Sequence, residues 1–198
     1  MSLNILLVSD TMIKDRTAIH GNIDPKLIYP DIKVAQDMYM LPLLGSALFD
    51  KLQTIIADGT ISSDGTKSDY KLLLDKYIAD ALIYYTLSDL PTTLSYQFWN
   101  KGIVRKQGDN TQLPSMDELI DISNKYRGRA EFYANRARLY LKQNAATLFP
   151  EYLNPGSGID TTRPEHKSYT LPIYLGDDCN EHNKSYAQKY QGNNPDCC

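Results

Sequence analysis

Apolar positions along this chain recur mostly at steps of three and four, the spacing that places side chains on one face of an α-helix. In "IYPDIKVAQDMYMLPLLGSALFDKLQTIIADG", Ile32, Ala35, Met38 and Tyr39 keep this period, and Leu44, Leu48, Leu52 and Ile55 or Ile56 resume it. Asp31, after Pro30, reads as the N-cap. Pro42 has no N–H and its ring crowds the turn before it, so a kink or short break is expected at Leu41-Pro42. Asp58-Gly59 then stops the second helix. "DGTISSDGTKSD" reads as a polar loop without the acidic spacing of a calcium loop.

"SDYKLLLDKYIADALIYYTLSDLP" is the most apolar stretch. Leu72, Leu73, Leu74, Tyr77, Ile78, Ala81, Leu82, Tyr84, Tyr85 and Leu87 cover much of a helix circumference. Such a helix is either central in its own fold or buried further by neighbouring subunits. Pro91 is expected to end it, and "TTLSYQFW" to add a short helix or turn. In the next periodic stretch Ser115 and Glu118 form the S-x-x-E capping-box pattern. Leu119, Ile122, Tyr126, Ala130, Tyr133, Ala137, Tyr140 or Leu141, and Leu148 continue it, predicting a helix of about 30 residues and about 45 Å.

The helical period fails in three places. Within "WNKGIVRKQGDNTQLPS", Ile103 and Val104 stand among Lys101, Arg105 and Lys106, with Gly102 before them and Gly108-Asp109-Asn110 after. This reads as a small basic β-hairpin at about 101–112. "LNILLVSD" is like the first strand of a doubly wound sheet, but no Val/Ile-rich strands alternate with helices after it. Residues 1–23 are therefore read as a short strand or helical turn packing on the main body. After Asn154, Gly, Pro, Asn, Asp and Ser dominate, and "SYTLPIYLGD" is the one apolar island. An extended arm is expected over 154–198, ordered where a partner pins it, with Tyr169, Leu171, Ile173, Tyr174 and Leu175 as its contacts. The fold class is thus mainly α: a helical bundle over 24–153 with a long C-terminal helix, a small inserted hairpin and an extended C-terminal arm.

Composition changes this picture little. At 198 residues the chain suits one domain with a real core. A net charge of −3 gives the whole molecule no general attraction to nucleic acid. Basic side chains of the long helix nevertheless fall on two flanking stripes, Arg127 with Arg138 and Lys142, and Lys125 with Arg129 and Arg136. They read either as snorkelling beside a core face or as contacts to acidic neighbours or a nucleic-acid backbone. Fifteen tyrosines against four phenylalanines suit surfaces that a partner covers, or a core that uses Tyr as its aromatic. No secretory leader or membrane span is read, so a soluble protein made in a cytoplasm is expected.

Chemistry is sparse. There is no Gly-rich phosphate cradle, nucleophile elbow or His-x-x-x-His pair. Asp37, Asp50, Asp75 and Asp80 do not pair on one helical face. His20, His166 and His182 lie in segments read as loop or tail, where a catalytic base lacks a rigid support. Cys179 and His182 have C-x-x-H spacing, and Cys197-Cys198 would complete a thiolate-rich zinc site, but vicinal cysteines rarely ligate one tetrahedral ion. Exposed thiols are the simpler reading. No catalysis, no cofactor and no metal are expected.

In order, "DPKLIYPDIKVAQDMYMLPLLGSALFDKLQ", "YKLLLDKYIADALIYYTLSDLP", "NKGIVRKQGDN" and "RGRAEFYANRARLYLKQNAATLFPEYLNP" resemble the head-to-tail connector (adaptor) proteins of tailed bacteriophages, most nearly those of crAss-like phages. The resemblance covers roughly residues 24 to 155. It implies a structural virion protein of the neck, forming a homo-oligomeric ring, usually twelvefold, below the portal protein. That ring continues the DNA channel and docks tail proteins. In such a ring Lys101, Ile103, Val104, Arg105 and Lys106 would contact a neighbour, line the channel, or belong to an idle loop. Contact with genomic DNA would be non-specific and salt-sensitive. The alternative is a small helical ligand- or nucleic-acid-binding regulator, for which no convincing recognition helix is seen.

Overall fold

Ser9 and Asp24 open the first two helices. In the computed structural model, which describes residues 5–61, 65–100, 102–105, 114–158 and 161–165, the Ser9 hydroxyl accepts from the Met12 N–H and the Asp24 carboxylate from the Lys26 N–H. These are N–H groups that a helix start leaves free. Helix α1 spans Asp10–Arg16 and α2 spans Pro25–Ala35. Asp31 is therefore not a cap, and Pro30 lies inside α2.

The expected break at Leu41-Pro42 is displaced. After α2 the chain widens into a π turn, Gln36–Met40, closed by the Leu41 N–H bonding to Gln36 O five residues back. Pro42 then sits in the first turn of α3, Leu41–Leu44, where a missing N–H costs little. The break falls at Gly45, with φ 76° and ψ 157°, a region that side chains other than glycine's avoid. Helix α4 follows as Ser46–Ala57.

Helix α5, Gly65–Leu73, begins inside the stretch read as loop and passes through a second π turn, Leu74–Ile78, into α6, Ala79–Ser95. Pro91 does not end α6, which runs on to Ser95. Residues Tyr96–Trp99 form strand β1 rather than a helix or turn, and pair antiparallel with β2, Gly102–Arg105. The described hairpin thus spans 96–105, and residues 106–112, also expected in the hairpin, lie outside the described residues. Its second strand was foreseen, but the partner lies upstream, because aromatic residues suit a strand as well as β-branched ones do and the connection has only two residues.

Helix α7 spans Met116–Asn144. Its capping box is present: Ser115 Oγ accepts from the Glu118 N–H at 3.3 Å, and the Glu118 carboxylate accepts from the Ser115 N–H at 2.7 Å. The 29 residues make a rod of about 43 Å at 1.5 Å each. A short helix, α8, closes the body at Pro150–Leu153.

The core is built around α6, whose Ala79, Ala81, Leu82, Ile83, Leu87 and Leu90 are buried against α2 and α7. The apolar excess of this segment is accounted for within its own fold. Ala130, Ala134 and Ala137 keep the inner face of α7 small, so the two helix backbones approach closely. Phe149 is wholly buried and meets Tyr70 edge-on at 5.4 Å. Gln36, buried in the first π turn, accepts from the Leu7 N–H at 2.8 Å and donates to Ile5 O at 3.0 Å. Leu7 and Val8 are buried beside it, and residues 5–9 form no strand. Met38, Leu72 and Ile122, though periodic, face outward. Among the described residues no helix is long and apolar enough to cross a membrane.

Candidate functional site

The hairpin carries Phe98, the most exposed large apolar side chain among the described residues. In its register Phe98 stands opposite Ile103, and Gln97 opposite Val104. Directly opposed residues share one face of the ladder, so Phe98 and Ile103 make an apolar pair on one side while Val104 points to the other. Phe98 is 89% exposed, Ile103 65% and Val104 48%. Arg105 lies in β2 opposite Tyr96; its side chain, and Lys101 and Lys106 altogether, lie outside the described residues. So do Tyr169, Leu171, Ile173, Tyr174 and Leu175 of the arm. Phe98 was missed because "YQFW" was not read as a strand.

A second uncovered surface runs along the outside of α7. Gly128, Phe132 and Leu139 are separated by four and seven residues, which puts them on one stripe opposite the buried Ala130, Ala134, Ala137 and Leu141. Phe132 is 66% exposed and Leu139 69%. Gly128 has no atom within 4 Å of where a Cβ would stand, so this stripe presents bare backbone beside two large apolar side chains. Val34 and Met38, four apart, add a third exposed apolar spot on α2 and its π turn.

Many of the tyrosines line a seam between helices. Tyr77 stacks on Tyr140 at 4.1 Å, Tyr39 on Tyr85 at 4.0 Å, and Tyr84 on Tyr133 at 5.4 Å. Tyr126, Tyr133 and Tyr140 succeed one another by seven along α7, which keeps them on the flank facing α6. The arginines of that helix cover the rings: Arg136 lies 5.0 Å from the Tyr77 centroid, and Arg129 lies 5.7 Å from Tyr126. Arg127 lies 5.7 Å from the Tyr39 ring and donates to its hydroxyl at 3.0 Å. Cation–π contact of this kind is worth roughly 0.5–1 kcal/mol at exposed sites. The first basic stripe is therefore divided by environment, since Arg138 is nine-tenths buried while Arg127 and Lys142 are exposed.

Burial pushes the Tyr85 and Tyr140 phenols up from their ordinary range. Burial, with a hydrogen bond to Glu151, raises Tyr70 to about 12. These rings stay neutral near pH 7 and act as packing and hydrogen-bonding groups. Asp37 pairs with Lys33 and Asp80 with Arg16, as helix-surface carboxylates do. His20 lies in a loop, its Nδ1 accepting from the Asn22 N–H at 3.2 Å. His166, His182 and the three cysteines lie outside the described residues. Among the described residues no cluster of His, Cys, Asp and Glu is arranged to hold a metal ion.

Residues 40–162 match the model of a family of unknown function (DUF6712), and the chain belongs to that family. Neither a curated protein nor a solved structure matches it.

Proposed function

We propose that this member of the DUF6712 family is a structural virion protein, a head-to-tail connector that assembles as a homo-oligomeric ring below the portal. The ring extends the DNA channel and gives tail proteins a docking surface. The reading starts from the resemblance over residues 24 to 155. The observation that carries it is the hairpin: a two-stranded ladder is marginal alone in water, and this one leaves Phe98 and Ile103 uncovered on one face and Val104 on the other. A partner that seats the hairpin removes that apolar surface from water.

The outer stripe of α7 and the Val34–Met38 spot lie on other elements. Several separate contact surfaces suit a subunit that meets copies of itself, a portal and a tail component at once. DNA passing through the channel needs no specific site, and the reading assigns the chain no reaction and no cofactor. A nucleic-acid-binding regulator is favoured by one observation only. Arg129 and Arg136 have no ion-pair partner among the described residues, and that reading calls for tight DNA binding by the free chain. The deciding experiment mixes the chain with the portal of the same virion and images the product. Portal-bound rings support the connector; a chain that ignores the portal but binds duplex DNA supports the regulator.

A further inference from the structure

Gly45 splits one helical hydrogen bond. In an unbroken helix the Ser46 N–H would bond to Pro42 O, four residues back. The positive φ of Gly45 swings the two apart, and a segment from far along the chain takes both halves. Ser46 N–H donates to Thr162 O at 3.0 Å, and the Glu165 N–H donates to Pro42 O at 2.9 Å. The Thr162 N–H returns a bond to Ser46 Oγ at 2.8 Å. Between these anchors Pro164 is buried flat against Gly45, where a Cβ would stand 2.7 Å from its Cδ. Arg163 points to water.

Arg138 completes the corner. It is nine-tenths buried, donates from Nη1 to Asn135 at 2.6 Å, and leaves Nε without a hydrogen-bond partner among the described residues. The carboxylate nearest its guanidinium is that of Glu165, at 4.0 Å and 61% exposed. A buried cation with incomplete compensation is costly, so this position favours an acidic residue directly after the proline. The corner thus offers a main-chain donor, a main-chain acceptor, a glycine floor for a proline ring and a cation. That set recognises an extended Thr-x-Pro-Glu segment.

We infer that this corner is an exchangeable peptide site, filled in the isolated chain by its own Thr162–Glu165 and in an assembly by the same segment of a second copy. The bonds are largely main-chain, so only the connection from α8 determines which copy supplies the segment. That connection, Asn154 to Asp160, reads Asn-Pro-Gly-Ser-Gly-Ile-Asp, and Gly156 has φ 98°. Seven extended residues reach about 23 Å, roughly twice a helix diameter. Exchange re-forms identical contacts, so it costs little, and a ring supplies the high local concentration that drives it. The inference rests on the ring reading for the source of the second segment, not for the site itself.

The test uses the full chain and a labelled synthetic peptide of residues 158–167, followed by fluorescence anisotropy. Wild-type chain should bind poorly, because its own strap competes at an effective concentration of about millimolar. A chain carrying Pro164→Ala and Glu165→Ala should bind at least tenfold tighter. Adding Arg138→Met to that chain, or using a peptide with Glu165→Ala, should lose about two- to fivefold. The peptide variant carries the test should Arg138→Met fail to fold. Equal binding by wild-type and strap-weakened chains, or indifference to both the Arg138 and Glu165 changes, overturns the site. A photo-crosslinker at position 163 in mixed heavy- and light-isotope chains then reads the source. Heavy–light links to residues 42–46 support exchange. Rings that hold only same-copy links remove the second copy as occupant and leave the ring reading intact.

Discussion

Replacing Gly45 with alanine perturbs the corner in two separable ways. The backbone at φ 76° and ψ 157° lies where only glycine rests easily, and holding a side chain there costs about 1–3 kcal/mol. The new methyl carbon would also stand 2.7 Å from Pro164 Cδ and 2.8 Å from its Cγ, well inside contact distance. If Pro164 stays, that overpacking adds about 1–3 kcal/mol. If the strap leaves instead, three hydrogen bonds are given up, at roughly 0.5–1.5 kcal/mol each. The first route makes Gly45→Ala destabilising by about 2–6 kcal/mol and the second by about 2.5–7.5 kcal/mol in urea unfolding. Gly59→Ala is the control: its φ is 63°, nothing lies within 4 Å of the new carbon, and only a backbone cost of about 1–2 kcal/mol applies. Hydrogen exchange at the Ser46, Thr162 and Glu165 amides distinguishes a strained strap from a released one. A Gly45→Ala chain no less stable than Gly59→Ala, with those three amides as protected as in wild type, would refute the reasoning.

Phe98→Ser should change stability by less than about 0.5 kcal/mol, because the ring is already in water, yet abolish assembly with the portal, as read by unfolding and by mass measurement. A double-mutant cycle of Arg138→Met with Glu165→Ala should show a coupling of about 0.5–1 kcal/mol, and Glu165→Ala should cost less once the buried cation is gone. Burial raises Asp31 above its ordinary 3.8, and the Thr93 hydroxyl, donating at 3.1 Å, offsets part of this while nearby Asp89 adds to it. The folded state then holds the Asp31 proton more tightly than the unfolded chain, so stability falls as pH rises through the window just above 3.8. Asp31→Asn should accordingly raise Tm at pH 7, and the gain should vanish below about pH 3.8 in scans across that range.

What the sequence revealed was local in origin. The capping box at Ser115 and Glu118, the period of α7 and the apolar wrap of α6 depend on neighbours three and four residues away, and all three are found. Prolines misled. Pro30 and Pro91 are carried inside helices, Pro42 falls in the first turn of α3, and the helix breaks at Gly45 instead. The first hairpin strand was hidden because "YQFW" has no alternation to separate it from a helix end. Tyr126, Tyr133 and Tyr140 show their seven-residue step in the sequence, but the rings they stack on belong to α6 and the turn before it. The strap was least legible of all. "TTRPE" has no period, and its anchors are two backbone groups freed by a glycine, one of them on Ser46, 116 residues from Thr162.

The most direct measurement is electron microscopy of the chain mixed with its portal. The account predicts a ring of copies stacked on the portal, with Phe98 and Ile103 covered by a neighbouring chain. A chain that stays monomeric beside intact portals, with its hairpin in open solvent, would contradict it.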